Sequence, residues 1–457
     1  MKCWMKYLLC IVFSVCVFGA HAGIVKKINL SGNKITKRHV ILRELTFLLN
    51  DTIDQNDYSI HVKKSQNNLL NTSLFNFATI TFKDTLQHTE VNIKIVERWY
   101  IWPEVILKFQ ERNFTEWLKS RDFSRIDYGL YISHFNFRGR KEKLQLQFKT
   151  GFNSKIGILY KTPYLTKKSK TGLSIGLSYN TQNEVHTGID SLNKMLYTKE
   201  TDGILRESYR LHLEYNRRSN LYTMHYLMFD YEDMRLKNGL QSINDVFAIG
   251  KNELQFMSFT YKFKNDQRDS KNYPLNGYYT DIEIKKYGIG IDQSGLNITR
   301  FAANYRDYYF LSSRWYLSYG IYGELFSIED IPFFLQDGLG FREYVRGYEP
   351  YVLFGQFSGT AKLNFKYQLI TPKIYTVPFV KTEKFSKIHF AIFSNIFIDA
   401  GYVHNKVSSF RRLNNELLLG TGVGLDFVTF YDLVWRFEYS INKYKEHGFY
   451  LSFVAPI

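Results

Sequence analysis

Gly172-Leu173-Ser174-Ile175-Gly176 satisfies G-x-S-x-G, the pattern of a nucleophile elbow. Such an elbow exposes its serine on a sharp turn between a strand and a helix. Here Leu173, Ile175, Leu177 and Tyr179 alternate with Ser174, Gly176 and Ser178. That period belongs to an uninterrupted strand and leaves no turn for a nucleophile. Gly420, Gly422 and Gly424 loosely echo a dinucleotide fingerprint, but no βαβ pattern surrounds them. The 11 histidines show no H-x-x-x-H or comparable ligand spacing. The sequence thus points to no enzyme, no cofactor and no metal. The chemistry it does offer is a charge pair. Arg346 sits in a Gly- and Tyr-rich stretch between Gly338 and Gly359. Asp399 alternates with the apolar Ile398 and Ala400 and shares a face with Asn395 and Gly401. A guanidinium pairs bidentately with a carboxylate, which lysine cannot reproduce. Arg346 is expected on Asp399, with Asp426 and Glu438 able to share it. The alternative is a solvated loop charge, whose ion pair would contribute only ~0–1 kcal/mol.

The elements that must position these residues are strands. From Trp99 onward, alternating segments of about ten residues are separated by Gly, Asn, Asp and Lys clusters, the texture of a membrane barrel. Leu144, Leu146 and Phe148 alternate with Gln145, Gln147 and Lys149. Tyr209, Leu211, Leu213 and Tyr215 alternate with Arg210, His212 and Glu214. Trp315, Leu317, Tyr319 and Ile321 alternate with Tyr316, Ser318 and Gly320. Leu433, Trp435, Phe437 and Tyr439 alternate with Val434, Arg436 and Glu438. Apolar-out, polar-in alternation characterises a transmembrane antiparallel β-barrel. At roughly 22 residues per strand and turn, residues 99–457 hold about sixteen strands. A soluble β-sandwich also alternates, but it rarely spends 35 Tyr and 38 Phe in this way. Aromatic content of 17% beside a mean hydropathy of −0.28 fits strands that are apolar on one side only. On the segment 417–427, Leu418, Gly420, Gly422, Gly424 and Asp426 face the lumen. Three inward glycines remove side chains from a strip of wall, either for a backbone that approaches closely or for a bulge or taper.

The N-terminus reads as an export signal. Lys2 and Lys6 precede the apolar run from Tyr7 to Phe18, and Ala20-His21-Ala22 supplies an A-x-A site. Cleavage is expected after Ala22. The run is too short to anchor, since spanning takes ~20 apolar residues. Cys3, Cys10 and Cys16 all lie inside this segment, so the mature chain is expected to have no disulfide and no cysteine metal site. Val15 and Leu9 before the cysteines are not the small residues of a lipoprotein site. The formal net charge is +17. In an exported chain such a charge suits acidic clients and anionic outer-membrane lipids, not nucleic acid.

Residues 23–98 read as a small α+β unit of order β-α-α-β-β. Ile24 to Leu30 is a strand, Ser31-Gly32-Asn33 a turn, and Thr36 is placed to cap a helix carrying Val40, Ile41, Leu45 and Leu48-Leu49. Asp54 or Asp57 opens a second helix, and Ala78 to Phe82 and Val91 to Val96 are strands.

Several segments together resemble the BamA/TamA superfamily of outer-membrane proteins in Gram-negative bacteria. Ile28-Asn29-Leu30-Ser31-Gly32-Asn33 and Leu70-Asn71-Thr72-Ser73-Leu74-Phe75 look like parts of a polypeptide-transport-associated (POTRA) domain. Asn272-Tyr273-Pro274-Leu275-Asn276-Gly277-Tyr278 resembles the Pro-x-x-Gly-Tyr segment that opens a barrel strand. Val345-Arg346-Gly347-Tyr348 resembles the family's Val-Arg-Gly-Phe/Tyr loop. Phe397-Ile398-Asp399-Ala400-Gly401 resembles its Phe-x-Asp-x-Gly strand, and Gly420-Thr421-Gly422-Val423-Gly424-Leu425 its glycine-rich strand. The resemblance spans nearly the whole mature chain. It implies a barrel whose sixth extracellular loop folds inward and docks its arginine on the wall. It also implies a periplasmic POTRA domain, and the assembly or translocation of client polypeptides in the outer membrane, with accessory lipoproteins or periplasmic chaperones as partners. A dedicated export pore and a passive porin are the other readings; the periplasmic domain and the Arg346 loop argue against the porin. Three features depart from the family. The chain has room for one POTRA unit where insertases commonly carry several. It ends Ala455-Pro456-Ile457 where many barrels end on an aromatic residue. Asn364 stands where relatives often place an acid.

Overall fold

The computed structural model describes residues 22–85, 88–109, 123, 126–199, 204–236, 253–289, 295–336, 338–376, 378–379, 387–406, 411–429 and 433–454. Of the expected export signal, residues 1–22, all but Ala22 lie outside them. Next come β1 (Ala22–Ser31), α1 (Arg38–Leu42), β2 (Thr52–Asp54), α2 (Tyr58–Leu70), β3 (Phe75–Asp84) and β4 (Thr89–Glu97). Their sheet runs β2-β1-β4-β3, with β1 parallel to β4, so β3 is an edge. Val25, Ile28, Val40, Ile41, Leu69 and Ile93 form part of its core.

Two details differ from the sequence reading. A three-residue strand, β2, lies between the helices and pairs with Ala22–Ile24. It is too short for a period of two to register. The first helix stops at Leu42, and Leu48 and Leu49 are exposed. Thr36 is also not its cap; Lys37 holds that position. Thr36 is buried instead: its N–H donates to Glu97 Oε1 at 2.7 Å, and its hydroxyl accepts from Asn136 Nδ2 of the following sheet at 2.9 Å.

That sheet is the barrel. It contains β5 (Ile101–Phe109), β6 (Ile126–Phe137), β7 (Glu142–Gly151), β8 (Asn153–Thr162) and β9 (Thr171–Gln182). A separate hairpin follows, β10 (Glu184–Ile189) with β11 (Met195–Lys199). The barrel resumes with β12 (Arg206–Arg218), β13 (Thr223–Leu236), β14 (Glu253–Asp266), β15 (Gly277–Tyr287), β16 (Ile298–Ser312) and β17 (Trp315–Phe326). It ends with β18 (Phe357–Thr376), β19 (Lys387–His404), β20 (Leu418–Val428), β21 (Val434–Asn442) and β22 (His447–Val454). Sixteen strands pair in sequence order from β5 to β22. Most are long enough to cross a bilayer, which takes ~9–11 residues. No described helix could do so.

The alternation sorts side chains as expected. Leu173, Ile175 and Leu177 are exposed on the outer face, and Ser174 between them is buried. Leu419, Val423 and Leu425 likewise point out, while Gly420, Gly424 and Asp426 point in.

The N-terminal domain sits against one end of the barrel. Lys37 N–H donates to Gly139 O at 2.9 Å. Arg43 Nη2 donates to Lys167 O, and Asn71 Nδ2 to Arg268 O and Asp269 O. Arg218 pairs with the buried Glu44 at 2.6 Å, and Lys141 lies 3.6 Å from the same carboxylate. Burial would raise the Glu44 carboxyl, but Lys141 and Arg218 overcome it and hold it down at about 2. The turns at 138–141, 163–170, 219–222 and 267–276 therefore share this end. Because strands alternate in direction, the long loop 327–356 emerges at the other.

Candidate functional site

Loop 327–356 turns back into the barrel. Leu339 and Leu353 exchange backbone hydrogen bonds of 2.9 Å, which closes the inner part of the loop on itself. The tip is a tight turn in which Tyr348 N–H donates to Val345 O at 3.0 Å. Gly347 occupies φ +91°, a conformation that favours glycine. Val345 and Tyr348 are buried with Leu339, Leu353, Val403 and Leu418, so apolar packing holds the tip on both flanks of the arginine.

Arg346 lies between these anchors and is only 7% exposed. Its Nη2 donates to Asp399 Oδ1 at 2.6 Å and its Nε to Oδ2 at 2.7 Å, a bidentate fork. The Arg346 backbone N–H adds a bond to Oδ2 at 3.2 Å. Nη1 donates to Glu438 Oε1 at 3.1 Å. The guanidinium carbon lies 3.6 Å from the centre of the Phe397 ring, a cation–π stack. Asp399 is fully buried and Glu438 nearly so. Burying such charges is costly, and only a pair with its hydrogen bonds made offsets that cost.

The strand chemistry explains the fit. Phe397, Asp399 and Gly401 are every second residue of β19, so all three face the loop. Phe397 is the platform, Asp399 the partner, and Gly401 leaves room for the Val345 side chain. The glycines of β20 divide their work. A Cβ at Gly420 would overlap the Arg346 carbonyl oxygen, so this glycine admits the loop backbone itself. A Cβ at Gly422 would strike Tyr439 O and the Phe397 ring, so its role toward the loop runs through the platform. Gly424 gives space to the Asn395 amide and to Glu438, not to the loop.

Asp426 corrects the sequence reading. It does not reach Arg346; it accepts from Arg436 Nε at 2.9 Å and from the Tyr273 hydroxyl at 2.7 Å. The register gives the reason. Asp399 pairs with Gly420, and Asp426 lies six residues further along β20, ~20 Å at a strand's rise. Glu438 reaches Arg346 because it pairs with Gly424, two residues nearer the loop. Gly359 also lies outside the loop, already within β18.

Pro274, Gly277 and Tyr278 belong to a different feature, the turn 267–276 and the start of β15 at the N-terminal-domain end. Gly277 starts β15 at φ +93° against the Gln267 carbonyl, and the Tyr278 hydroxyl accepts from Gln267 Nε2 at 2.7 Å. The turn carries Tyr273 up into the lumen, beside Phe393 and Asp426. Sequence reasoning missed Tyr273 and Phe397, although both stand inside segments it had singled out. It missed Asn442 as well, whose Nδ2 donates to Gly347 O at 2.9 Å; no local signal marks that residue. Ser174 lies in the middle of β9 opposite Glu214, with no helix after it. Among the described residues no group of His, Asp and Glu could hold a metal.

A sixteen-stranded barrel, a small α+β domain at its mouth and a loop pinned inside by an arginine together define a class of plugged β-barrel. Residues 136–453 match the Omp85 superfamily domain, and residues 23–98 match the POTRA model, described as a surface antigen variable number repeat. The chain belongs to the Omp85 superfamily, which supports a role in assembly or translocation. No curated protein matches it by sequence. Among solved structures it is similar to BamA from Haemophilus ducreyi lacking POTRA domains 1–3. The TM-score is 0.53 at 15% identity, over 94% of this chain and 83% of that one. It is also similar to CdiB from Escherichia coli, with TM-score 0.56, 11% identity and coverage of 95% and 76%. For CdiB from Acinetobacter baumannii the TM-score is 0.50 at 14% identity, over 94% and 74%.

Proposed function

We propose that this protein inserts or exports client polypeptides at the outer membrane through a lateral seam, without catalysis or cofactor. In this reading residues 1–22 are an export signal cleaved after Ala22. Residues 23–98 stand in the periplasm, and residues 99–457 form the membrane barrel. The observation that carries the reading is the seam. The barrel sheet begins at β5 and ends at β22, and among the described residues no ladder joins the two. Every other neighbouring pair is hydrogen-bonded, so this is where the wall opens at least cost. Phe449 and Phe453 point outward on β22, and Pro103 removes a donor from β5. Pro456 lies outside the described residues. The edge strand β3 of the N-terminal domain can receive a client by strand addition. The Arg346 loop keeps the lumen occupied, so that clients leave sideways.

Cysteine pairs introduced along 103–107 and 449–453 test the seam. Oxidative locking should abolish client insertion or export, and reduction should restore it; an unimpaired locked protein would sink the proposal. Depletion separates the two roles. A general assembly factor lowers many outer-membrane proteins, whereas a dedicated exporter lowers one or a few.

A further inference from the structure

Between the inward turn 267–276 and the docked loop lies a luminal cavity of ≈420 Å³. Cavities of ~300–1,000 Å³ enclose small ligands or short segments. Its walls are strongly cationic. Arg306 and Lys362 share the single carboxylate of Glu343, at 2.7 and 3.4 Å. Arg436 and Lys366 share Asp426, at 2.9 and 3.9 Å. Arg342 and Lys271 also line it, and neither has a carboxylate within ion-pair range among the described residues. Positive charge thus exceeds negative at each of these three places.

A second cavity of ≈210 Å³ lies beneath the N-terminal domain, and Arg268 and Lys271 line both. Lys141, Lys161, Arg218 and Lys264 add to its wall, against Glu44 and Asp266. Lys271 is fixed at the shared wall: its backbone N–H donates to Asn71 Oδ1 at 3.0 Å and its Nζ to Asn71 O at 3.2 Å. The two cavities form one cationic track from the domain contact into the lumen.

We propose that this track binds an acidic, Asp- or Glu-rich polypeptide segment, an inference that rests on the polypeptide-handling reading above. Carboxylates match its guanidinium and ammonium groups. Lys362, Lys366 and Arg436 project from inward positions, so acyl chains outside the wall do not reach them.

The test uses the full chain in detergent, a labelled octaglutamate peptide and fluorescence anisotropy. Octaglutamate should bind, more weakly as salt rises, and octaglutamine should not. The double variant Lys271→Gln/Arg342→Gln should weaken binding by at least ~10-fold. Glu343→Gln, which frees two cations, should tighten it; this second variant keeps the test decisive if the first misfolds. Equal binding of octaglutamine, or affinity unchanged in both variants, overturns the track. Tripolyphosphate binding where octaglutamate fails overturns it in favour of a small polyphosphate site. If octaglutamate fails to bind while depletion still lowers outer-membrane proteins, the track falls and the assembly reading stands. If it binds while seam locking and depletion have no effect, the assembly reading falls alone.

Discussion

Replacing Arg346 by alanine leaves Asp399 and Glu438 facing each other across a gap, both buried and both charged. Breaking a buried pair by removing one partner costs ~3–5 kcal/mol. At 1.4 kcal/mol per decade, the loop should open roughly a hundred to several thousand times more often. The effect is readable because the sequence has no cysteine after Cys16. A cysteine at Val352, fully buried beside Ile189 and Phe354, reacts with a maleimide only when the loop undocks. Arg346→Ala should raise its labelling rate by that factor. Asp399→Ala should raise it somewhat less, because Arg346 keeps Glu438. The double variant should resemble the worse single one. Arg346→Lys, which cannot fork across Asp399 and still reach Glu438, should fall between wild type and Arg346→Ala, roughly 10- to 100-fold, since a lost charge-assisted bond contributes ~1.5–3 kcal/mol. Labelling that never changes, or single effects that multiply fully in the double variant, would show that the ion pair does not hold the loop.

Gly420→Ala should undock the loop in the same labelling assay, because its methyl meets the Arg346 carbonyl; Gly323→Ala, whose nearest neighbour would be 3.9 Å away, should not. The Glu44 contact should be pH-dependent. Its carboxyl is held from 4.5 down to about 2, so its contribution is complete above about pH 4.5 and is lost as pH falls toward 2. Crosslinking between the N-terminal domain and residues 219–222 should weaken in that window; loosening near pH 6 would contradict it. Ser174→Ala should leave client insertion or export unchanged, and lost function would reopen a chemical role for the G-x-S-x-G segment.

Much of this was legible in the sequence because a strand's period is two. A residue's face follows from its parity, so Asp399, Glu438 and the β20 glycines could be turned inward without coordinates. Parity does not say how far along the wall a residue lies. Asp426 has the right face and the wrong height, and only the register between β19, β20 and β21 separates it from Glu438. Phe397 was visible as an aromatic on a polar face, which becomes meaningful only once a guanidinium is known to lie over it. Thr36 had a capping residue's chemistry, but Glu97 and Asn136, both distant in sequence, claimed its polar groups. Tyr273 was hidden because a turn entering the lumen reads like any other polar turn.

The pinned loop also constrains the order in which the barrel can be completed. Arg346 finds its two carboxylates 53 and 92 residues downstream, on β19 and β21. Until β19 is in place the guanidinium lacks Asp399, and until β21 joins it lacks Glu438, so the lumen of a part-built barrel holds a cation that is at best half-paired. Docking then becomes favourable only when the C-terminal strands have joined the wall. Arg346 thereby ties closure of the lumen to the last steps of folding, so a barrel stalled before β21 should be recognisable by a loop that proteases can still reach.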